Sequence, residues 1–190
     1  METPSENEAA PDERMTADEF YRRYVGKDFE LVDGRVVAMP PVNPTHGDLD
    51  TTLVLRLGAY VREHGLGRHY LNTGFVLRDD PPLVRAPDQA FVSNARIQSA
   101  PPPAEGFWRV APDLAVEIVS PGDSAEAIAE KTGDYLTSGV RLVWIIYPRK
   151  REAHAFHPSG EARVVKPSEV LDGEDVVPGF KLPLNELFAA

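Results

Sequence analysis

The chain of 190 residues contains no cysteine, and this absence excludes disulfide bonds, thiolate zinc sites and cysteine nucleophiles together. The chain also has no apolar run close to the roughly 18 residues that a membrane-spanning helix needs. Its N-terminus has no basic stretch followed by an apolar core, so no signal peptide is predicted. These absences favour a cytoplasmic protein that does not have a membrane as its partner.

Sequence motifs of several common enzyme classes are missing as well. No glycine-rich phosphate-binding loop is present, and no dinucleotide-binding fingerprint follows a predicted strand. The Gly-x-Ser-x-Gly turn that carries the nucleophile of many serine hydrolases is also absent. Nucleotide-dependent and serine-hydrolase activities of these kinds therefore lack support.

Basic residues are few: 20 Lys and Arg stand against 30 Asp and Glu, which gives a net charge of −10. This balance counts against nonspecific binding of nucleic acid, because phosphate contacts need Lys and Arg, unless a divalent metal and a local basic patch offset the repulsion. The first 14 residues contribute −4 of the charge and leave −6 on the remainder. Their polar composition predicts a disordered acidic tail over residues 1–14, followed by one domain over residues 15–190.

Helix and strand patterns alternate along the rest of the chain. The pair Asp33-Gly34 between two short strand-like runs predicts an N-terminal β-hairpin. An apolar strand over 113–119, a helix that starts at Ser120-Pro121 and ends near Thr137, and an apolar strand over 142–147 predict a parallel strand pair with a helical connection. The other predicted elements are helices over 16–24 and 44–64, strands over 69–77 and 84–92, and a hairpin over 153–157 and 162–165. We therefore expect an α/β fold with a central mixed β-sheet flanked by helices, an additional N-terminal hairpin and a peripheral C-terminal hairpin.

Glu117 is the most informative residue, because it stands in the middle of a strand with apolar residues on both faces. A lone ionised carboxylate there would cost several kcal/mol, so a cation, a metal or a proton must compensate its charge. One interpretation is a structural ion pair or an edge position that reaches solvent. The other is a ligand for magnesium or manganese, which prefer hard oxygen donors.

Two further residues can complete a site with Glu117. Asp88 could be a second metal ligand, although an aspartate after Pro87 is also a common turn cap. Lys131 shares a helix face with Tyr135 four residues later, and it is either a solvated helix lysine or the partner of the buried carboxylate. Two carboxylates and a lysine make a metal-dependent hydrolytic site.

The remaining candidates carry weaker patterns. Glu30, between Phe29 and Leu31, is either an ordinary exposed strand residue or an acidic member of the site. His46 has the position of a helix cap or surface histidine. Asp113 repeats the Ala-Pro-Asp context of Asp88 at the start of its own strand, which favours a structural role. The closely spaced pair His154 and His157 lacks a third ligand for zinc.

Six short segments occur in order between about Met15 and the C-terminus. They are Phe-Glu30-Leu-Val-Asp-Gly, Thr-His46-Gly, Arg-Ala-Pro-Asp88-Gln-Ala-Phe-Val, Ala-Pro-Asp113-Leu-Ala-Val-Glu117-Ile-Val-Ser-Pro-Gly-Asp123, Lys131-x-x-x-Tyr135 with Gly139-Val140, and Val143-Trp144-Ile-Ile-Tyr-Pro148. With these spacings, the chain resembles the Uma2 family of restriction-endonuclease-like proteins, which is assigned to the PD-(D/E)xK nuclease superfamily.

The resemblance implies a restriction-endonuclease-like core and a phosphodiesterase site that uses Mg²⁺ or Mn²⁺. Asp88 would match the motif aspartate and Glu117 the motif acidic residue, both as metal ligands and catalytic residues. Val119 stands where the superfamily pattern has a lysine. The resemblance suggests that Lys131 has taken the catalytic role of that lysine and that Glu30 is an accessory acid of the site.

Three functions remain open from the sequence. The first is a metal-dependent endonuclease that hydrolyses DNA and works as a homodimer. The second is a non-catalytic module of the same fold for interaction or nucleic-acid binding, which the acidic charge favours, and the third is a hydrolase of a smaller phosphate substrate. A basic groove would favour DNA, and its candidate residues are Arg22, Arg23, Arg35, Arg56, Arg78 and Arg85.

Overall fold

The computed structural model describes residues 14–39 and 41–189. The predicted tail over residues 1–14 therefore lies outside the described residues, apart from Arg14. Within the described part, no helix is both long and apolar enough to cross a bilayer.

The described chain forms twelve strands, six helices and one π-helical segment. The strands are β1 (Phe29–Val32), β2 (Arg35–Ala38), β3 (Gly67–Leu71), β4 (Phe75–Asp79), β5 (Pro82–Arg85), β6 (Gln89–Ser93), β7 (Leu114–Ile118), β8 (Leu142–Tyr147), β9 (Glu152–Phe156), β10 (Ala162–Val165), β11 (Val170–Asp172) and β12 (Lys181–Pro183). The helices are α1 (Ala17–Tyr24), α2 (Pro44–Leu53), α3 (Ala59–Glu63), α4 (Asn94–Ser99), α5 (Ala125–Thr137) and α6 (Leu184–Leu187), and the π-helical segment Val54–Gly58 joins α2 to α3.

A six-stranded mixed sheet forms the centre, in the order β10-β9-β8-β7-β6-β3. Strands β7 and β8 are parallel and are connected through α5, as the sequence predicts, whereas the other neighbours are antiparallel. Five of the six residues of β8 and all five of β7 are buried, because the sheet is covered on both faces. The predicted α/β class with a central mixed sheet is confirmed, and the C-terminal hairpin β9–β10 continues this sheet at its edge.

The two faces of the central sheet carry separate cores. On one face, the continuous helical segment formed by α2, the π-helical turn and α3 packs against Val116 and Trp144 through Leu53, Leu57 and Val61. On the other face, α5 packs onto a second apolar cluster, whose members include Ala115, Ile128, Tyr135, Val143 and Ile145. Since side chains alternate along a strand, Glu117 lies on the same face as Ala115 and points toward α5.

A second sheet, β2-β1-β5-β4, holds the N-terminal hairpin. Asp33 and Gly34 both have positive φ, 49° and 78°, as the tight turn of such a hairpin requires. Helix α1 packs beneath this sheet and begins with the predicted capping box, in which the Thr16 side chain accepts from the Glu19 backbone and Glu19 accepts from the Thr16 backbone.

Two predicted strands are broken in the structure. The segment 69–77 divides into β3 and β4, and 84–92 divides into β5 and β6, with one half of each in each sheet. The first break has a local cause: Asn72 has φ of 44°, and Phe107 packs so closely on Gly74 that a Cβ there would lie 2.3 Å from the ring. At the second break, Pro87 has no N–H to donate to a ladder. Asp88 therefore lies in the crossing between the sheets and not within a strand.

Helix α5 begins later than predicted. Ser124 is its N-cap, with the hydroxyl accepting from the Ala127 backbone at 3.1 Å, and Ser120-Pro121 belongs to a preceding turn. In that turn, the Ser120 N–H donates to the Asp123 carboxylate at 2.7 Å. The predicted end is confirmed, because the helix stops at Thr137 and Gly139 follows with φ of 95°.

Candidate active site

Strand β7 and helix α5 bring the first members of the predicted site together. The Glu117 carboxylate accepts a hydrogen bond from the Tyr135 hydroxyl at 2.6 Å through Oε1, and Lys131 Nζ lies 3.3 Å from its Oε2. The helical spacing predicts that Lys131 and Tyr135 share a face, and both contact the same carboxylate. Glu117 is therefore a buried side chain with a partner for each oxygen.

Lys131 stands between two acids. Its ammonium nitrogen is 3.3 Å from Glu117 and 3.4 Å from Glu30. Burial lowers the pKa of Lys131, but the charges of the two carboxylates outweigh burial and raise that pKa above its ordinary value. The side chain is 21% exposed. Lys131 is thus a fixed cation that solvent can still reach.

Asp88 reaches the same place from the crossing between the sheets. Its Oδ2 accepts from the backbone N–H of Ile118 at 2.6 Å, so its carboxylate lies beside the residue that follows Glu117. Its Oδ1 is 3.2 Å from His46 Nε2. These partners belong to β7 and α2, which are distant from Asp88 in the sequence. A local turn cap would instead contact backbone groups within a few residues.

Glu30 is buried on β1, with only 2% of the residue exposed, so it is not an ordinary exposed strand residue. Its Oε1 accepts from the Ala86 backbone at 3.0 Å, and its Oε2 accepts from Arg85 Nη1 at 2.8 Å. Arg85 also donates from Nε to Asp134 on α5 at 2.9 Å. The buried Arg85 thereby fixes Glu30 against the helix that carries Lys131.

His46 is the residue whose place the sequence indicates least well. It lies in the first turn of α2, is only 6% exposed, and contacts both Asp88 and Ser120, with Nδ1 3.3 Å from the Ser120 hydroxyl. Burial lowers the pKa of His46, but the hydrogen bond and charge of Asp88 outweigh burial and raise that pKa. The only sequence signal for this position is its place within the Thr-His-Gly segment.

Negative charge exceeds positive charge at this site. Burial, together with the nearby carboxylates of Asp88 and Glu30, raises the pKa of Glu117 to about 7, even though Lys131 and the Tyr135 hydrogen bond lower it. Lys131 and Arg85 therefore do not compensate all of these acids, because Arg85 is shared between Glu30 and Asp134. Burial and the adjacent Glu117 raise the pKa of Tyr135 well above its ordinary value, so its hydroxyl stays a neutral donor.

This excess of carboxylate charge suits a divalent cation. Among the residues described, no group of three or more His, Asp and Glu side chains is arranged to hold a metal ion. Magnesium, however, is commonly held by one or two carboxylates, with water and phosphate completing its shell. Asp88 and Glu117 offer two such donors, and Asp88 is still 17% exposed. The donor set fits Mg²⁺ or Mn²⁺ and lacks the nitrogen and sulfur ligands typical of zinc.

Other predicted features lie elsewhere. Three of the six arginines considered for a basic groove are not available for one. Arg85 is buried, Arg56 pairs with Glu186 at 2.8 Å, and Arg78 pairs with Asp33. His157 pairs with Glu174 at 2.7 Å on the edge hairpin, outside the site.

Comparison with known proteins agrees with this architecture. The Uma2 family, described as "Putative restriction endonuclease", matches residues 17–185. A solved structure of a "putative nuclease belonging to DUF820" from Anabaena variabilis ATCC 29413 is similar to this chain, with a TM-score of 0.78 and 22% identity over 92% of this chain and 97% of that one. No curated protein matches the chain. The match over residues 17–185 covers most of the molecule, and the chain belongs to the Uma2 family.

Proposed function

We propose that this protein is a metal-dependent endonuclease that hydrolyses phosphodiester bonds of DNA at the site formed by Asp88, Glu117, Lys131 and Glu30. The observation that carries the proposal is the convergence of Asp88 and Glu117 beside a lysine that two acids hold in place. Membership of a family described as nucleases supports the reaction class.

Asp88 and Glu117 would hold the metal in this proposal. A magnesium or manganese ion bound there would supply positive charge to the scissile phosphate and lower the pKa of a bound water. The Tyr135 hydroxyl fixes one oxygen of Glu117, and the Ile118 N–H fixes one oxygen of Asp88. A hydrogen-bond donor of the protein thus orients each carboxylate. The other oxygen of Glu117 faces Lys131, and the other oxygen of Asp88 faces His46.

Lys131 has the role of an electrostatic and positioning group in this proposal. Because its two acidic neighbours raise its pKa, it stays protonated and does not serve as the base that takes the proton of water. Its ammonium instead orients the attacking water or stabilises the charge that develops on the phosphate oxygens. Glu30, anchored by Arg85, keeps Lys131 Nζ at this position.

Cleavage of plasmid and single-stranded DNA with Mg²⁺ or Mn²⁺ tests the proposal, with wild type beside Glu117→Gln and Lys131→Ala. We expect metal-dependent cleavage by the wild type, its loss in Glu117→Gln and a fall of about 10²-fold in Lys131→Ala. Cleavage that persists in Glu117→Gln would contradict the site. Light scattering on the purified protein tests the accompanying proposal of a homodimer, in which each of two sites would cut one strand of DNA.

A second candidate is a non-catalytic module for interaction or nucleic-acid binding. The net charge of −10 and the neutralised arginines favour it, because a duplex needs many cationic contacts. The two functions differ in two measurable properties: the module would bind no metal at Asp88 and Glu117, and it would cut no DNA.

A further inference from the structure

A cavity of about 390 Å³ opens next to the site, between the start of α2 and the turn that joins β8 to β9. His46 and Val119 line it from the side of the site, and Tyr147, Arg149 and Lys150 line it from the other side. His46 also contacts Asp88 at 3.2 Å, so the cavity and the carboxylates share a wall. A ligand in this cavity would therefore lie beside a phosphate bound at the carboxylates.

The cavity wall is cationic in an acidic protein. Arg149 and Lys150 are exposed, and neither has an acidic partner among the residues that the structure describes. Arg56 and Arg109, on other surfaces, are both paired with acids. Asp123 also lines the cavity, with its carboxylate accepting from the Ser120 N–H at 2.7 Å, so the wall carries two cations and one acid. Two available cations in one recess favour an anionic ligand.

An aromatic ring stands next to these cations. Tyr147 is half-buried at the end of β8, and the Lys150 ammonium lies 5.7 Å from the centre of its ring. When the Lys150 ammonium turns from the ring to a phosphate, it leaves this face of Tyr147 to the attached base. Base stacking on an aromatic ring together with a cationic contact to phosphate is the usual way in which proteins hold single-stranded nucleic acid.

We propose that this cavity is a subsite for one unpaired nucleotide of a single-stranded segment, with the base against Tyr147 and its phosphate at Arg149 and Lys150. The volume of about 390 Å³ lies near the lower end of the range for small-molecule pockets, which suits one nucleotide. A base enters a pocket of this kind only when it has left the stack, so an intact duplex is excluded from it. The subsite rests on the proposed function for its substrate class, and it directs that function toward single strands, flaps or ends.

Fluorescence anisotropy with labelled single-stranded dT12, and with a blunt duplex of the same length, tests the subsite in EDTA, where no metal is present. We expect the wild type to bind dT12 at least about tenfold more tightly than the duplex, because only an unpaired base can stack on Tyr147. Tyr147→Leu should lose about tenfold in affinity for dT12, whereas Tyr147→Phe, which keeps the ring, should bind like the wild type.

The cationic wall gives a second, independent variant. Arg149→Ala with Lys150→Ala should weaken dT12 binding and reduce the dependence of log affinity on log salt by about 0.7 for each lost phosphate contact. Both residues are exposed in a turn, so this variant should fold even if a substitution at Tyr147 does not. The matched control is Arg22→Ala on α1 with Lys27→Ala in the turn after that helix, which removes the same charge away from the cavity and should leave the salt dependence unchanged.

Several outcomes would overturn the subsite. They are no binding of dT12 by the wild type, equal affinity for the duplex, and equal losses in the cavity variant and its control. The cleavage assay separates this proposal from the proposed function. Loss of dT12 affinity in the cavity variants of a protein that cuts no DNA supports the subsite and removes the nuclease, whereas cleavage with unaltered binding in those variants does the reverse.

Discussion

Asp88 and Asp113 stand in the same tripeptide, Ala-Pro-Asp, each just before a buried strand, yet their surroundings differ. The Asp113 carboxylate is 3% exposed, accepts from the Ser93 N–H at 2.7 Å and pairs with Arg96 at 2.9 Å. Asp88 is 17% exposed, and its nearest charged partner is a histidine. Asp113 is thus buried and its charge is neutralised, whereas Asp88 remains partly exposed beside the carboxylate of Glu117.

The difference shows what separates a structural carboxylate from a candidate functional one. Two arginines compensate the charge of Asp113, Arg96 of α4 at 2.9 Å and Arg141, just before β8, at 3.7 Å. Asp88 instead adds to an excess of negative charge, and its carboxylate raises the pKa of Glu117. A protein keeps such an arrangement at a cost in stability, which is typical of functional sites.

Neutralising each aspartate in turn tests most directly whether Asp88 is functional and Asp113 structural. Asp88→Asn should lower cleavage on the order of 10²–10³-fold, because it removes charge that stabilises the transition state, and should leave the free energy of unfolding unchanged or raised. Asp113→Asn should lower the free energy of unfolding by about 2 kcal/mol, because two arginines lose their partner, with little effect on cleavage. Urea unfolding and DNA cleavage measure the two effects, and a pattern with the roles exchanged would contradict our assignment.

Substitutions of Lys131 test the role of the cation that lies beside Glu117. Lys131→Ala should lower cleavage by about 10²-fold, because the developing charge on the phosphate loses its cation. Lys131→Arg keeps the charge and should retain more activity than the alanine variant. Lys27→Ala is the control, since Lys27 lies over the ring of Tyr24 at the end of α1 and makes no contact with Glu30 or Glu117 that the structure shows. Equal rates for Lys131→Ala and this control would remove Lys131 from the mechanism.

Tyr135→Phe tests the orientation of Glu117 with a smaller change. The Tyr135 hydrogen bond lowers the pKa of Glu117, so its loss should raise that pKa above the present value of about 7. A higher pKa reduces the ionised fraction of Glu117 at low pH, and the acid limb of the pH–rate profile should move to higher pH. We expect cleavage about tenfold below wild type at pH 6 and similar to wild type at pH 9. A uniform loss at both pH values would indicate a role other than this one.

The smallest effect belongs to a pair outside the site, His157 and Glu174. Burial lowers the pKa of His157, but the hydrogen bond and charge of Glu174 outweigh burial and raise it. A raised histidine pKa stabilises the fold below the unfolded pKa, and this stabilisation is lost as the pH rises through the folded pKa. Glu174→Gln should therefore lower the free energy of unfolding by about 0.5 kcal/mol near pH 6 and leave it unchanged near pH 8. The rate of cleavage should not change. Thermal unfolding at both pH values checks this.

Local patterns were sufficient for much of the fold. The apolar strand around Glu117, the helix after it and the strand over 142–147 follow from hydrophobic periodicity, and Asp33-Gly34 gives the hairpin. The position of Lys131 and Tyr135 on one helix face also follows from spacing alone. For these residues, the information lies within a few positions of the chain.

Long-range geometry accounts for what the sequence left open. Arg85 reads as a surface arginine, and only the packing of β5 against α5 makes it a buried partner of Glu30 and Asp134. The contact of His46 with Ser120 joins residues 74 positions apart. The predicted start of α5 was wrong for a different reason. Ser120 and Ser124 both suit an N-cap, and in the structure Ser124 caps the helix while Ser120 lies in the preceding turn.

The central claim is that Asp88 and Glu117 hold a divalent metal, and calorimetric titration of Mn²⁺ into the protein tests it most directly. We predict binding to the wild type and to Asp113→Asn, and loss of binding in Asp88→Asn and Glu117→Gln, with all four proteins folded by circular dichroism. Unchanged Mn²⁺ affinity in Glu117→Gln, or no binding by the wild type, would contradict the account.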